Sequence, residues 1–168
     1  MTALAVRELS AGTFAEFGDV VAQPERSQDA SGPGWRWWAE IAQLPAVQPA
    51  SALGYLRLEP APARFDWAER HMRSRELIVP LDGGCLVYVG RAEHLDQPER
   101  MPALEEFQVF RVPAGQAVVL REGVWHGAPL ADGEPLSALV LLRAGTGGED
   151  TTVVRFPDTP VEIQHADR

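Results

Sequence analysis

What the chain lacks narrows its possibilities first. It has a single cysteine, Cys85, set in an apolar run, so no disulfide framework can form within it and a zinc knuckle built from cysteines is excluded. Nowhere do some eighteen apolar residues follow one another, and Met1 to Leu9 shows no basic region leading into a long apolar one, so neither a membrane span nor a cleaved leader is expected. No arginine-rich block offsets a formal net charge of -9, which sets the chain against phosphate backbones and anionic lipid. Nucleic acid and membrane are poor partners, and the cytoplasm is the natural compartment. Apolar residues at helical spacing are scarce too, which leaves strands to build the fold.

What is present fits one domain spanning residues 1–168, long enough for a proper core, with a loosely held tail from about residue 157. Ser10 to Thr13 supplies caps for one helical turn carrying Phe14 and Phe17. After a polar loop the composition changes abruptly: Trp35, Trp37 and Trp38 surround Arg36, three of the five tryptophans within four residues. They read as an aromatic cover on the core, a dimer contact, or the wall of a ligand pocket. From Leu53 onward nearly every segment reads as strand: Leu53 to Leu58, Phe65 to His71, Leu77 to Leu81, Cys85 to Val89, Phe107 to Val112, Gln116 to Leu120, Ser137 to Leu142 and Thr151 to Phe156. Eight or more short strands with Gly/Pro turns indicate an all-β sandwich or barrel with one or two short helices.

Two stretches carry chemistry. In Glu69 to Gly83, Glu69 and His71 stand two apart on a strand and share a face, with Phe65 and Trp67 ahead of them, and Glu76 opens the next strand. In Gly115 to His126, a strand and a turn at Gly123 deliver His126. Converging O and N donors from Glu69, His71, Glu76 and His126 suit a divalent metal or a carboxylate/imidazole set for proton transfer. By alternation Arg70 points away from this group, and Trp125 faces opposite to His126 and packs between sheets. His94, His165 and Cys85 read as bystanders.

These residues carry a resemblance. Glu69-x-His71-x4-Glu76-x6-Gly83 is similar to the first motif of the cupin family, with Glu69 in place of one histidine. Gly115-x5-Arg121-x-Gly123-x2-His126 is similar to the second, with Arg121 in place of a proline. More narrowly, Phe14-Ala-Glu-Phe-Gly-Asp-Val20, Glu69-Arg-His71, Ile78-Val-Pro-Leu81, Pro113-Ala-Gly-Gln116, Gly123-Val-Trp-His126, Leu139-Val-Leu-Leu-Arg143 and Phe156 resemble, in order, the ureidoglycolate lyase family. That resemblance implies a jelly-roll barrel of the cupin double-stranded β-helix type, usually a homodimer, cleaving ureidoglycolate to glyoxylate and urea in purine (allantoin) nitrogen catabolism. It also implies that His71, Glu76 and His126 are catalytic and that a divalent metal (Zn, Ni, Mn or Fe) is held by these three with Glu69 as fourth ligand. The chain departs from the family in three places. Glu76 stands where the family resembles glutamine, which favours a metal; Trp37 stands where its arginine would, with Arg36 one place earlier; and Gly127-Ala-Pro129 replaces a second histidine and a proline.

A small carboxylate-bearing substrate calls for a cation, and arginine offers a bidentate fork. Arg36 and Arg73 are the candidates, with Trp38 beside them, and Arg121 or Arg143 would serve only if their strands turned them inward. Two other functions compete with lyase chemistry: a cupin of different specificity, and a non-catalytic binder of a small acid or sugar-like ligand.

Overall fold

The structure, a computed structural model, describes residues 2–22, 25–32, 35–37 (main chain only) and 50–164. Strand β1 (Ala3–Arg7) leads to the helical turn α1 (Ala11–Phe14). Ser10 starts that turn: its hydroxyl accepts the Thr13 N–H at 3.1 Å, and the Thr13 hydroxyl accepts the Ser10 N–H at 3.0 Å. Strands β2 (Gly18–Val21), β3 (Ala30–Gly32), β4 (Trp35–Trp37) and β5 (Ser51–Leu58) follow. The middle of the chain gives β6 (Arg64–Phe65), β7 (Trp67–Arg70), β8 (Glu76–Pro80) and β9 (Cys85–Gly90). Beyond a polar excursion come β10 (Gln108–Val112), β11 (Ala117–Leu120), β12 (Trp125–His126) and β13 (Leu130–Ala131). Strand β14 (Leu136–Arg143), helical turn α2 (Thr146–Glu149), β15 (Thr152–Arg155) and β16 (Val161–Gln164) complete the described chain.

The strands form a nine-stranded sheet in the order β15-β7-β12-β9-β10-β1-β16-β6, with β13 also paired to β9, and a five-stranded sheet in the order β2-β11-β8-β14-β5. A short ribbon pairs β3 with β4. This is the all-β, cupin-type arrangement the motifs lead one to expect. The main core fills the space between the two large sheets, where Phe14, Phe17 and Phe110 meet at ring-centroid distances of 5.1 to 5.8 Å. A second core covers the outer face of the larger sheet and includes Phe65, Tyr88, Phe107 and Trp125. That is why Cys85 to Val89 is apolar without alternation: Cys85, Val87 and Val89 face one core, Leu86 and Tyr88 the other.

Three expectations need correction. The tail is no loose end through Gln164: β16 pairs parallel with β1 and antiparallel with β6, and Val161 and Ile163 are buried in the second core. Phe65 to His71 is not one strand either. The pairing breaks at Asp66, so Phe65 turns to the second core and stacks on Tyr88 at 3.9 Å instead of sharing a face with Glu69. Trp125 faces opposite to His126 as alternation requires, yet it lies in the second core and not between the sheets. It is covered there by Arg70, whose guanidinium sits 4.7 Å from the ring.

Candidate functional site

Adjacent strands bring the two motifs together. β7 and β12 run antiparallel with Glu69 opposite His126, and β8 starts at Glu76. Gly123 locks the connection. Its φ of 78° is open to glycine at little cost, and in that conformation its N–H donates to the carbonyl of His71 at 2.7 Å, tying the turn of the second motif to the end of the first.

At the centre is the Glu76 carboxylate, 7% exposed, with one oxygen, Oε2, 3.2 Å from Nε2 of His71 and 3.2 Å from Nε2 of His126. The imidazole centroids are 5.1 Å apart and the rings nearly perpendicular. Each ring is oriented by its other nitrogen: Nδ1 of His71 donates to the Asp150 carbonyl at 3.0 Å, and Nδ1 of His126 donates to the Val124 carbonyl at 2.9 Å. Because a carbonyl only accepts, both Nδ1 atoms carry the hydrogen, and both Nε2 atoms face the carboxylate. Burial alone would raise the Glu76 pKa, but the charge of His126 and hydrogen bonds from both imidazoles outweigh it and bring it to about 2. Glu76 is thus an ionised acceptor. Burial works against the His126 imidazolium as well, and there too the opposing carboxylate prevails and raises its pKa.

Glu69, His71 and His126 place donor atoms within 4.8 Å of one another, and Glu76 joins them through its contacts to both imidazoles. Two Nε2 atoms held by carbonyls behind them, together with two carboxylates, form a mixed N/O donor set that fits a divalent transition metal.

Glu69, His71 and Glu76 open onto a cavity of about 430 Å³, whose described lining also includes Leu56, Pro129, Val140, Leu142 and Val153, with the hydroxyl-bearing Thr146 and Thr151. His126, 2% exposed, sits behind Glu76 and is not part of the lining. Of the expected arginines, Arg73 lies elsewhere. Arg73 is exposed; its Nη2 donates to the Glu149 carbonyl at 2.6 Å and its Nε lies 3.6 Å from Asp150 Oδ1, so it does not line the cavity. Arg143 is buried but turned to Glu149, and Arg121 is exposed. Arg36 stands opposite Ser31 in the β3–β4 ribbon; its side chain and the whole of Trp38 fall outside the described residues, as does His165. Among the described lining residues there is no arginine, and the chain contains no lysine.

Arg70 points away from the cavity, as alternation requires, and is fully buried. It donates to the carbonyls of Glu93 at 2.9 Å, His94 at 3.1 Å and Gln97 at 2.9 Å, pinning the polar excursion against Trp125. Cys85 is buried and its thiol is pushed up to about 12, leaving it unreactive. The Gly127 departure also has a physical reason. A Cβ at this position would overlap the hydroxyl of Tyr88, which donates to the Trp67 carbonyl at 3.0 Å, so the tyrosine fills the space a larger residue would need.

Sequence reasoning missed the stretch from Thr146 to Val153. It forms one cavity wall and holds His71, yet it reads as a glycine-rich connection with no motif spacing. Asp150 was the one available signal, a carboxylate at the end of that run. It accepts the backbone N–H groups of Met72 and Arg73 at 3.0 and 2.8 Å.

Two facing sheets with a buried His/Glu cluster at the mouth of the space between them define a cupin with a site suited to a metal or to proton transfer. The chain belongs to the ureidoglycolate lyase family, whose sequence profile matches residues 1–164. A curated relative, ureidoglycolate lyase 2 of Rhizobium meliloti (strain 1021), is 25% identical over 173 residues, covering 99% of this chain and all of that protein. Among solved structures, a dTDP sugar isomerase from Desulfovibrio desulfuricans G20 aligns at a TM-score of 0.47 and 15% identity, over 83% of this chain and 85% of that one. A cupin 2 domain-containing protein from Halorhodospira halophila aligns at 0.42 and 16%, over 90% and 83%.

Proposed function

We propose that the protein is a lyase that cleaves ureidoglycolate to glyoxylate and urea. The observation that carries the reading is the convergence of His71 and His126 on one oxygen of Glu76, each at 3.2 Å, beside a cavity in a chain that matches this family over nearly its whole length. In the reaction the substrate hydroxyl gives up its proton, its electron pair forms the aldehyde carbonyl, and the C–N bond breaks toward nitrogen, which takes a proton as urea leaves. No water is consumed.

Nε2 of His71, Nε2 of His126 and a Glu76 oxygen would hold a divalent metal (Zn, Ni, Mn or Fe), with Glu69 completing the set. When bound, the metal supplies a Lewis acid for the substrate's hydroxyl and carboxylate oxygens. Glu76 does not serve as the acid, because its pKa of about 2 keeps it ionised. In a site without metal, Glu69, half-buried and lining the cavity, would instead be free to accept the hydroxyl proton and return it to the urea nitrogen. Leu56, Val140 and Leu142 form an apolar part of the cavity wall, and the Thr146 and Thr151 hydroxyls beside it already donate to the Arg143 and Thr146 carbonyls, at 2.7 and 2.9 Å. We also expect a cytoplasmic homodimer acting in purine nitrogen catabolism, in line with the family and the lone reduced cysteine.

The test is glyoxylate release from ureidoglycolate by metal-supplemented protein, with kcat/KM falling at least 100-fold in His71→Ala and His126→Ala. A folded, metal-loaded protein that releases none would overturn the reading. One observation favours a second reading, a cupin acting on or binding another ligand: the described lining is mostly apolar and has no arginine for a carboxylate. Saturable binding of another small acid or sugar, with no glyoxylate formed, would establish it.

A further inference from the structure

We infer that Asp150 is a positioning residue of this site, docking the α2 turn onto the main chain beyond β7 so that its own carbonyl fixes the tautomer and direction of His71. The inference rests on the reading of His71 as a site residue. Four contacts converge on this one residue. Its carboxylate, with only 5% of the side chain exposed, accepts the Met72 N–H through Oδ1 at 3.0 Å and the Arg73 N–H through Oδ2 at 2.8 Å. Its carbonyl accepts Nδ1–H of His71 at 3.0 Å, and its own N–H closes the turn on the Thr146 carbonyl at 2.9 Å.

The chemistry requires both ends of Asp150. Met72 and Arg73 lie outside any strand and are exposed, so the sheet offers their N–H groups no partner. The carboxylate satisfies both and sets the distance between the chain after β7 and the turn carrying the carbonyl. With Nδ1 held as the donor, Nε2 is the nitrogen left to face Glu76 and His126, as a ligand or proton acceptor requires. The Thr151 hydroxyl donates to the Thr146 carbonyl at 2.9 Å, which supports the turn, and its oxygen lies 3.3 Å from the same Nδ1, a longer contact than the 3.0 Å to the Asp150 carbonyl. Thr146, Gly147 and Thr151 line the cavity, and Asp150 therefore couples the substrate wall to one imidazole.

The experiment compares wild type, Asp150→Asn, Asp150→Ala and Glu149→Ala after treatment with chelator. Glu149 lies on the same turn with its side chain 62% exposed and serves as the control. Two quantities are measured: the Kd for Co(II) with its visible spectrum, and the ¹⁵N shifts of the His71 ring in the metal-free protein. Asp150→Ala is expected to weaken Co(II) binding about 10- to 100-fold and to shift the neutral His71 ring toward a mixture of tautomers. Asp150→Asn, which keeps one acceptor for the two N–H groups, falls between, and Glu149→Ala changes Kd less than about 3-fold. Wild-type affinity and an unmixed Nδ1–H tautomer in both Asp150 variants would overturn the inference. If wild type binds no Co(II), the metal reading fails, while the ring shifts still decide the role of Asp150.

Discussion

Replacing Glu76 with glutamine removes the charge at the centre of the site with little change in shape, and the cost should depend on pH with a definite sign. The Glu76 pKa is lowered from 4.5 to about 2, so the carboxylate contributes stability that is present above pH 4.5 and lost as pH falls toward 2. His126 is raised above 6.5, so its contribution is complete below 6.5 and is lost as pH rises through the folded value. The metal-free protein therefore gains most from the pair between about pH 4.5 and 6.5. A pKa unit corresponds to about 1.4 kcal/mol, which makes the loss in Glu76→Gln on the order of 3 kcal/mol near pH 5.5, within the range for breaking a buried ion pair. As pH rises through the raised His126 pKa the carboxylate loses the cation facing it, so the difference should shrink toward pH 9. Urea denaturation of chelator-treated wild type and Glu76→Gln at both pH values measures this. A difference that is the same at the two pH values, or larger at pH 9, would refute the electrostatic account.

Other sites give sharper local tests. Gly127→Ala sets a methyl against the Tyr88 hydroxyl and should cost about 2 kcal/mol in urea denaturation, with part of that recovered in the double variant carrying Tyr88→Phe. Arg70→Met removes three hydrogen bonds to carbonyls and the contact with Trp125, so limited proteolysis should cut within residues 91–106 at least 10-fold faster while the β-rich circular dichroism spectrum is kept. Gly123→Ala meets a φ of 78° and a Leu95 methyl 3.0 Å from the new Cβ; about 1 to 2 kcal/mol of stability should be lost, and metal affinity should fall because the same residue bonds the His71 carbonyl. On the metal reading, adding Co(II) to chelator-treated protein should raise Tm, an effect absent in His126→Ala, as differential scanning fluorimetry would report.

Much of this site was legible because motif residues answer to local rules. Glu69 and His71 share a face because strand alternation fixes it, and Gly115 and Gly123 are glycines because φ is positive at both, 83° and 78°. Those constraints act over a few residues and leave their mark on spacing. The errors arose where long-range packing overrode a local pattern. Phe65 continues the alternation of Trp67 and Glu69, but a stacked Tyr88 from β9 draws it into the second core. Val161 and Ile163 look like part of a polar tail until β1 and β6 pair with that segment on either side. Arg73 failed for a related reason: a guanidinium is long and reaches whichever acceptor is near, so its residue number says little about where its charge lies. Arg70, assigned only a direction, holds three carbonyls, while Arg73, assigned to substrate, rests on the α2 turn. Asp150 is the clearest case. Its partners are backbone N–H groups some seventy-eight positions away, and a backbone group carries no residue identity to pair with in a motif. The imidazoles and carboxylates of such a site can be read from one sequence, whereas the main-chain groups that orient them emerge only once the chain is folded.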